Sequence, residues 1–258
     1  MFNSDFHIHT CYCDGKNTPE EIVIEAVSKG MKKIGFSGHS YIDFEDAPFM
    51  NPEKERNYKI EINRLKEKYK SQIKILLGIE RDYFSDVDTS DYDYVIGSVH
   101  YVKCGEKIIA IDHTIQCFED AIKECNNDVY EVCEKYFEIV SDVVNKTNAD
   151  IIGHFDLVSK FNEGSKFFDE NNKRYIDAYT KALDILLKTG KPFEINSGAI
   201  SRGYRTFPYP SMNILKYIAE HKGKVILSSD SHQKETIMYK FEESEKIAKS
   251  LGLEIVEL

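Results

Sequence analysis

The sequence predicts an α/β protein whose parallel strands close into a barrel. Three observations carry this. Short apolar stretches alternate with longer amphipathic ones along the whole chain, the order that right-handed strand–helix–strand crossovers produce. Seven or eight such units within 258 residues suit a single closed barrel better than an open sheet. Histidines and carboxylates recur just after the predicted strands, at the barrel end where chemistry gathers.

The elements follow in order. Asp5 to Thr10 is the first strand, and side-chain alternation puts His7 and His9 on one side of it. Thr18-Pro19-Glu20-Glu21 opens the first helix: Thr18 caps, Pro19 fits the first helical position and Glu21 completes a capping box. Ile22, Val23, Ala26 and Val27 form its apolar stripe, and Gly30 suits its stop. Lys33 to Ser37 is the next strand, followed by Gly38-His39. Asn51-Pro52 starts a second helix with Tyr58, Ile62, Leu65 and Tyr69 on one face. Ile73 to Ile79 is a strand with Glu80 at its end, and Tyr94 to Val99 is a strand delivering His100.

The stretch 104–127 is irregular and reads as a loop plus a short helix over the active site. Val129 to Val144 is strongly helical, and Ile151-Ile152-Gly153 is a short buried strand that delivers His154. Tyr175 to Leu187 is a helix stopping at Gly190, and Pro192 to Asn196 is a strand leading into an arginine-bearing loop over 197–210. Ile214 to His221 is helical, and Lys224 to Leu227 is a strand followed by Ser228-Ser229-Asp230-Ser231-His232. A last helix covers Lys234 to Leu251, and Leu253 to Val256 is a final short strand. No repeat, linker or low-complexity tract divides the chain, so residues 1–258 are expected to form one domain.

Composition narrows the function. A net charge of −10 argues against a nucleic-acid surface, which needs a basic face. No apolar run is long enough to span a bilayer and no secretory segment is evident, so a cytoplasmic protein is expected, without a membrane partner. The six cysteines show no C-x-x-C pair, and reduced thiols are expected. Cys11 and Cys13 lie beside the histidine pair, yet better-placed ligands exist.

Six of the eight histidines (His7, His9, His39, His100, His154 and His232) fall at or just after predicted strand ends. Structural histidines scattered over a surface would not select that position. His221 sits near a helix C-terminus, where a cation is favoured, and His113 reads as a loop residue. Glu80 and Asp230 stand among the imidazoles, where a carboxylate can bridge metals, and Asp14 lies in a short loop close to the His pair. Imidazole and carboxylate suit zinc, iron, manganese and related ions.

With these residues in hand, the chain resembles the polymerase and histidinol phosphatase (PHP) family, especially its histidinol-phosphate phosphatases. The matching pieces are His7-Ile8-His9-Thr10, Cys13-Asp14-Gly15 with Thr18-Pro19-Glu20-Glu21, Gly38-His39, and Gly78-Ile79-Glu80. They continue through Ile96-Gly97-Ser98-Val99-His100, Gly153-His154-Phe155-Asp156 and Ser229-Asp230-Ser231-His232. The resemblance implies a distorted seven-stranded (β/α) barrel with three divalent metal ions, zinc, manganese or iron. It implies that His7, His9, Glu80 and Asp230 hold the first metal. Glu80 would bridge to a second held with His100 and His154, and Asp14, His39 and His232 would hold the third. Two positions depart from the family pattern: Phe36-Ser37-Gly38-His39 stands where Thr-Asp-His is usual, and Asp14 where a histidine often stands.

The implied activity is hydrolysis of a small phosphomonoester, L-histidinol phosphate, with a metal-bridging hydroxide attacking phosphorus in line. That reaction is among the slowest uncatalysed ones, and paired metals supply both an acidified water and neutralisation of the equatorial oxygens. Arg202 and Arg205 are candidates to clamp the phosphate, because a guanidinium fork matches its oxygens, and Arg81 is a third. Another small phosphorylated metabolite or a nucleotide is the alternative substrate. An exonuclease is disfavoured by the acidity, and an amidohydrolase by the pairing of Asp230 with His232 and by the Glu80 bridge. A non-catalytic metal-binding protein is disfavoured by the complete ligand set.

Overall fold

The computed structural model describes residues 3–44 and 49–258. Its main sheet is parallel throughout, in the order β1 (Ser4–Asp5), β2 (Lys33–Phe36), β3 (Lys74–Asp82), β4 (Tyr94–Ser98), β7 (Ile151–Ile152), β8 (Phe193–Asn196), β9 (Lys224–Ser228) and β10 (Glu254–Ile255). The sheet curls until the chain beyond β1 meets the chain beyond β9. The His9 amide donates to the Ser231 carbonyl at 2.8 Å, and the Ser231 amide to the His7 carbonyl at 3.1 Å. Seven strands thus form a ring joined by one bridge. The eighth, β10, takes the start of β9 instead, with Glu254 opposite Lys224. The edge of β9 is divided between two partners, and this is the distortion of the barrel.

Helices α1 (Pro19–Ser28) and α2 (Pro52–Tyr69) cover β1 to β3. Thr18 and Glu21 form the capping box that starts α1, and the Asn51 side chain accepts the Lys54 amide at the start of α2. The faces they bury are those the periodicity selects: Ile22, Val23 and Ala26 on α1, and Tyr58, Ile62, Leu65 and Tyr69 on α2. Helices α4 (Val129–Ser141), α6 (Lys173–Leu186) and α8 (Met212–Glu220) pack over the other half. Inside the barrel, Tyr94 reaches from β4 to the Phe6 carbonyl at 2.6 Å and packs with Phe6, Ile96, Ile151 and Ile226. A Cβ at Gly35 or Gly78 would strike the Tyr94 phenol, at 2.4 Å and 2.2 Å, so glycine on both strands makes room for it.

Three stretches differ from the sequence reading. The irregular region holds a hairpin, β5 (Tyr101–Cys104) with β6 (Lys107–Ala110), ahead of α3 (Ile115–Glu124). Gly105, at φ +62°, makes its turn, a left-handed conformation that favours glycine. The last predicted helix is broken: one 3-10 turn at Lys234–Thr236 precedes α9 (Phe241–Ser250), with Met238 and Lys240 left-handed between them. Cys104 and Cys125 form a disulfide, against the expectation of reduced thiols, because α3 folds back against the hairpin. Cys11, Cys13, Cys117 and Cys133 are free. Among the described residues, no helix is long and apolar enough to cross a membrane.

Candidate metal centre

Every candidate ligand sits at the same end of the barrel. His7 and His9 leave the end of β1, and the loop after them folds back through Gly15. A Cβ there would lie 2.5 Å from the Thr10 amide, so only glycine lets Asp14 return to His9. His39 follows β2 and bridges to Glu80 on β3. His100 follows β4 and His154 follows β7. Asp230 follows β9 with φ +47°, a conformation costly for aspartate that aims its carboxylate inward. Gly198, in the short helix α7 (Gly198–Ser201), makes room for it: a Cβ would lie 2.6 Å from Asp230 Oδ2.

The structure brings eight of the nine candidate side chains together in overlapping groups, and the ninth, His154, joins them through Glu80. His7, His9 and Asp230 form one, His39, Glu80 and His100 a second, and His9, Asp14, His39 and His232 a third. Glu80 stands at their junction. Its Oε2 lies 3.4 Å from His7 Nε2, 3.5 Å from His9 Nε2 and 2.9 Å from His39 Nδ1. Its Oε1 lies 2.9 Å from His154 Nε2 and 3.5 Å from His100 Nε2, and accepts the Ser98 hydroxyl at 2.6 Å. Asp14 Oδ2 lies 3.0 Å from His232 Nε2 and 3.7 Å from His39 Nε2. His39 therefore stands between the second group and the third rather than in the third alone.

The donor set fits metal ions. His7 Nε2, His9 Nε2 and Glu80 Oε2 are buried, face one another and have no hydrogen-bond partner among the described residues. Buried polar atoms are normally satisfied, and three convergent ones among nitrogen and oxygen donors are what a cation would satisfy. Burial opposes charge on Glu80, His39 and Asp230, yet their neighbours hold all three charged. Despite burial, His7, His39 and His100 keep the Glu80 carboxyl well below the usual carboxylate range. Burial also works against the His39 imidazolium, but Glu80 leads the carboxylates that lift it to about 9. Arg202 and His7 hold Asp230 well below its ordinary value against the same desolvation.

Two carboxylates that the sequence reading missed orient the ligands. Glu194, fully buried on β8, accepts His7 Nδ1–H at 2.7 Å on one oxygen. Its other oxygen accepts the His154 amide at 3.0 Å and the Asn196 side-chain amide at 3.1 Å. Asp82 Oδ2 lies 3.0 Å from both the His100 amide and His100 Nδ1. Each leaves Nε2 of its histidine free to bind a metal, the usual role of a carboxylate behind a ligating imidazole. Signals for both were present: Glu194 is a charge between the apolar Phe193 and Ile195 of a strand, and Asp82 is two residues past Glu80, on the same face of β3.

Above the ligands lies a cavity of about 470 Å³ lined also by Phe49, Asp112, His113, Leu157, Lys160, Arg202 and Tyr204. Arg202 donates from Nη1 to the Asp230 carbonyl at 2.9 Å and from Nη2 to Asp230 Oδ2 at 2.9 Å. Arg205 does not line this cavity. Its guanidinium is tied to the Ser159 carbonyl at 3.2 Å and to the Ser159 hydroxyl, and lies 4.9 Å from the centre of the Tyr209 ring. Arg81 does not reach it either, donating to the carbonyls of Ser85 at 3.1 Å and Thr147 at 3.4 Å. His113 lines the cavity instead of lying free in a loop. Neither Cys11 nor Cys13 joins a ligand group, although Cys13 Sγ is 3.5 Å from His9 Nδ1.

Fold and site together define a barrel whose strand ends are built to hold several metal ions. The PHP domain matches residues 5–198, and the chain belongs to the PHP family. It is 27% identical over 267 residues to a histidinol-phosphatase of Bacillus subtilis, covering 94% of this chain and 98% of that one. It is 30% identical over 206 residues to a histidinol-phosphatase of Lactococcus lactis, covering 72% of this chain and 71% of that one. A solved L. lactis histidinol phosphate phosphatase, complexed with zinc, L-histidinol and phosphate, superposes with a TM-score of 0.76. That match is 24% identical and covers 98% of this chain and 95% of the other.

Proposed function

We propose that this protein is a metal-dependent phosphomonoesterase that hydrolyses L-histidinol phosphate to L-histidinol and inorganic phosphate. The observation that carries the reading is the base of the site, where buried His7 Nε2, His9 Nε2 and Glu80 Oε2 converge without a hydrogen-bond partner among the described residues, next to a cavity that Glu80 and Arg202 line. The relatives' names supply the substrate, and the L-histidinol and phosphate with which the L. lactis structure is complexed are the product pair of this reaction.

In this reading His7, His9, Glu80 and Asp230 hold one ion, Glu80, His100 and His154 a second, and Asp14, His39 and His232 a third. Divalent ions there would supply neutralisation of the phosphoryl oxygens and a water acidic enough to serve as nucleophile near neutral pH. The chain's own residues do the rest. Glu194 and Asp82 fix the ring orientations of His7 and His100. Arg202 holds the Asp230 carboxylate, and because its Nη1 meets both the Asp230 carbonyl and His232 Nδ1, it is Nη2 that keeps an N–H for a phosphate oxygen. Arg205 acts away from the substrate. Zinc, manganese and iron each suit these ligands. A single domain over residues 1–258, acting in the cytoplasm on a small substrate without nucleic acid, is part of the same proposal.

A panel of phosphomonoesters tests it, with metal content measured on the same preparation. The expected result is a kcat/KM for L-histidinol phosphate above that for an aryl phosphate and for nucleoside monophosphates. Equal values across the panel, or full turnover in metal-free protein, would overturn the proposal.

A further inference from the structure

We infer that Asp112 recognises the leaving alcohol by accepting a hydrogen bond from a nitrogen of that alcohol; this rests on the phosphomonoesterase reading above. The hairpin β5–β6 brings Asp112 to the site. Its far end is tied down where the Ile111 amide donates to the His100 carbonyl at 2.9 Å, so the next residue stands beside a candidate metal ligand. Asp112 lines the same cavity as His39, Glu80 and Asp230.

Its carboxylate is half used. Lys160 Nζ lies 3.1 Å from Asp112 Oδ2 and 2.7 Å from the Asp112 carbonyl, while Oδ1 is buried and has no hydrogen-bond partner among the described residues. A buried carboxylate oxygen without a donor is an uncompensated acceptor, and a hydrogen-bonding site of this kind discriminates strongly for ligands that bring the missing donor. The lysine keeps the carboxylate charged: despite burial, Lys160, His100 and His113 hold its pKa below the ordinary value.

The surroundings select the same class of ligand. Phe49, His113, Leu157 and Tyr204 give this part of the cavity aromatic and apolar walls, and Tyr204 is held under Lys160 Nζ at 5.0 Å from the ring centre. A small leaving group with one flat part and an N–H donor matches these walls and this acceptor. A leaving group with a second negative charge would face the carboxylate and be repelled. Either an ammonium or an imidazole N–H supplies the donor, and the substrates below separate them.

The test is Asp112→Asn, which keeps an oxygen for Lys160 but removes the charged acceptor. Four phosphates are compared: histidinol phosphate, 3-(imidazol-4-yl)propyl phosphate without the amine, phenylalaninol phosphate without the ring nitrogens, and 3-phenylpropyl phosphate without either. The variant should lose about tenfold or more in kcat/KM on histidinol phosphate and less than about twofold on 3-phenylpropyl phosphate. Whichever intermediate substrate also loses its sensitivity to the substitution lacks the nitrogen that Asp112 reads. An equal loss on all four, or no loss on any, would overturn the inference. Parent enzyme inactive on every phosphate would instead overturn the phosphatase reading, and shows before any variant is made. The parent also supplies a measurement that needs no variant. Histidinol should inhibit far better than 3-phenylpropanol, and equal inhibition by the two would remove the subsite.

Discussion

Glu194→Gln tests whether a residue that touches no substrate sets the metal site. The carboxylate accepts three hydrogen bonds: His7 Nδ1–H on Oε1 at 2.7 Å, and the His154 amide and Asn196 Nδ2 on Oε2 at 3.0 Å and 3.1 Å. Glutamine has the same shape but one acceptor. If its oxygen faces His7, its NH2 meets two buried donors. Leaving a buried polar group unsatisfied costs about 1–3 kcal/mol, so the two together predict roughly 2–6 kcal/mol of lost stability. If the amide turns over, its NH2 faces His7 Nδ1, which must then accept. The imidazole proton moves to Nε2, and the lone pair pointing at Glu80 is lost. Removing a carboxylate behind a metal-bound histidine typically weakens metal affinity about 10–100-fold. The assay is competition for zinc against a chromophoric chelator, run beside urea denaturation of the metal-free protein. One of the two quantities must move. Unchanged zinc affinity together with unchanged stability would refute the reasoning, because neither amide orientation could then be satisfied as the geometry requires.

Arg202→Ala is expected to lower kcat/KM by roughly 2–4 kcal/mol in transition-state terms and to loosen bound metal, since Arg202 secures Asp230 as well as facing the cavity. Lysine should not restore it, because a point charge cannot replace the two-point contact; near-parental kinetics in either variant would remove Arg202 from the site. Replacing both Cys11 and Cys13 with serine should leave metal content within error by elemental analysis, because neither belongs to a ligand group; loss of one equivalent would assign Cys13 a ligand role. Gly78→Ala puts a methyl 2.2 Å from the Tyr94 ring and should destabilise the protein by about 1–3 kcal/mol in urea denaturation. An unchanged midpoint would mean that Tyr94 moves freely inside the barrel.

The order of elements, the caps of α1 and α2 and the helix faces they bury were legible in the residues. Capping boxes and 3.6-residue periodicity are local properties of the chain. So was the gathering of His7, His39, Glu80, His100, His154 and Asp230, because one rule of parallel barrels sends every strand end to the same face. The hairpin β5–β6 was hidden. Its strands alternate too weakly to stand out, and its pairing depends on Tyr101 and Ala110 being buried together against Ile42 and Phe49. The break before α9 was hidden as well, since Asp5, far away in sequence, accepts the Met238 amide at 2.9 Å.

Which arginine lines the cavity was equally beyond the sequence. Arg202 and Arg205 lie three residues apart in one loop, and nothing in their order distinguishes them. The short helix α7 turns Arg202 toward Asp230 and leaves Arg205 beneath Tyr209, bound to Ser159. Glu194 shows the division most clearly. The sequence placed a carboxylate in a buried strand. Only the closed barrel, by setting β8 across from His7 and beside His154, gave it three donors. A charge inside a protein persists where partners distant in the chain are held within hydrogen-bonding reach of it, and that is a property of the fold.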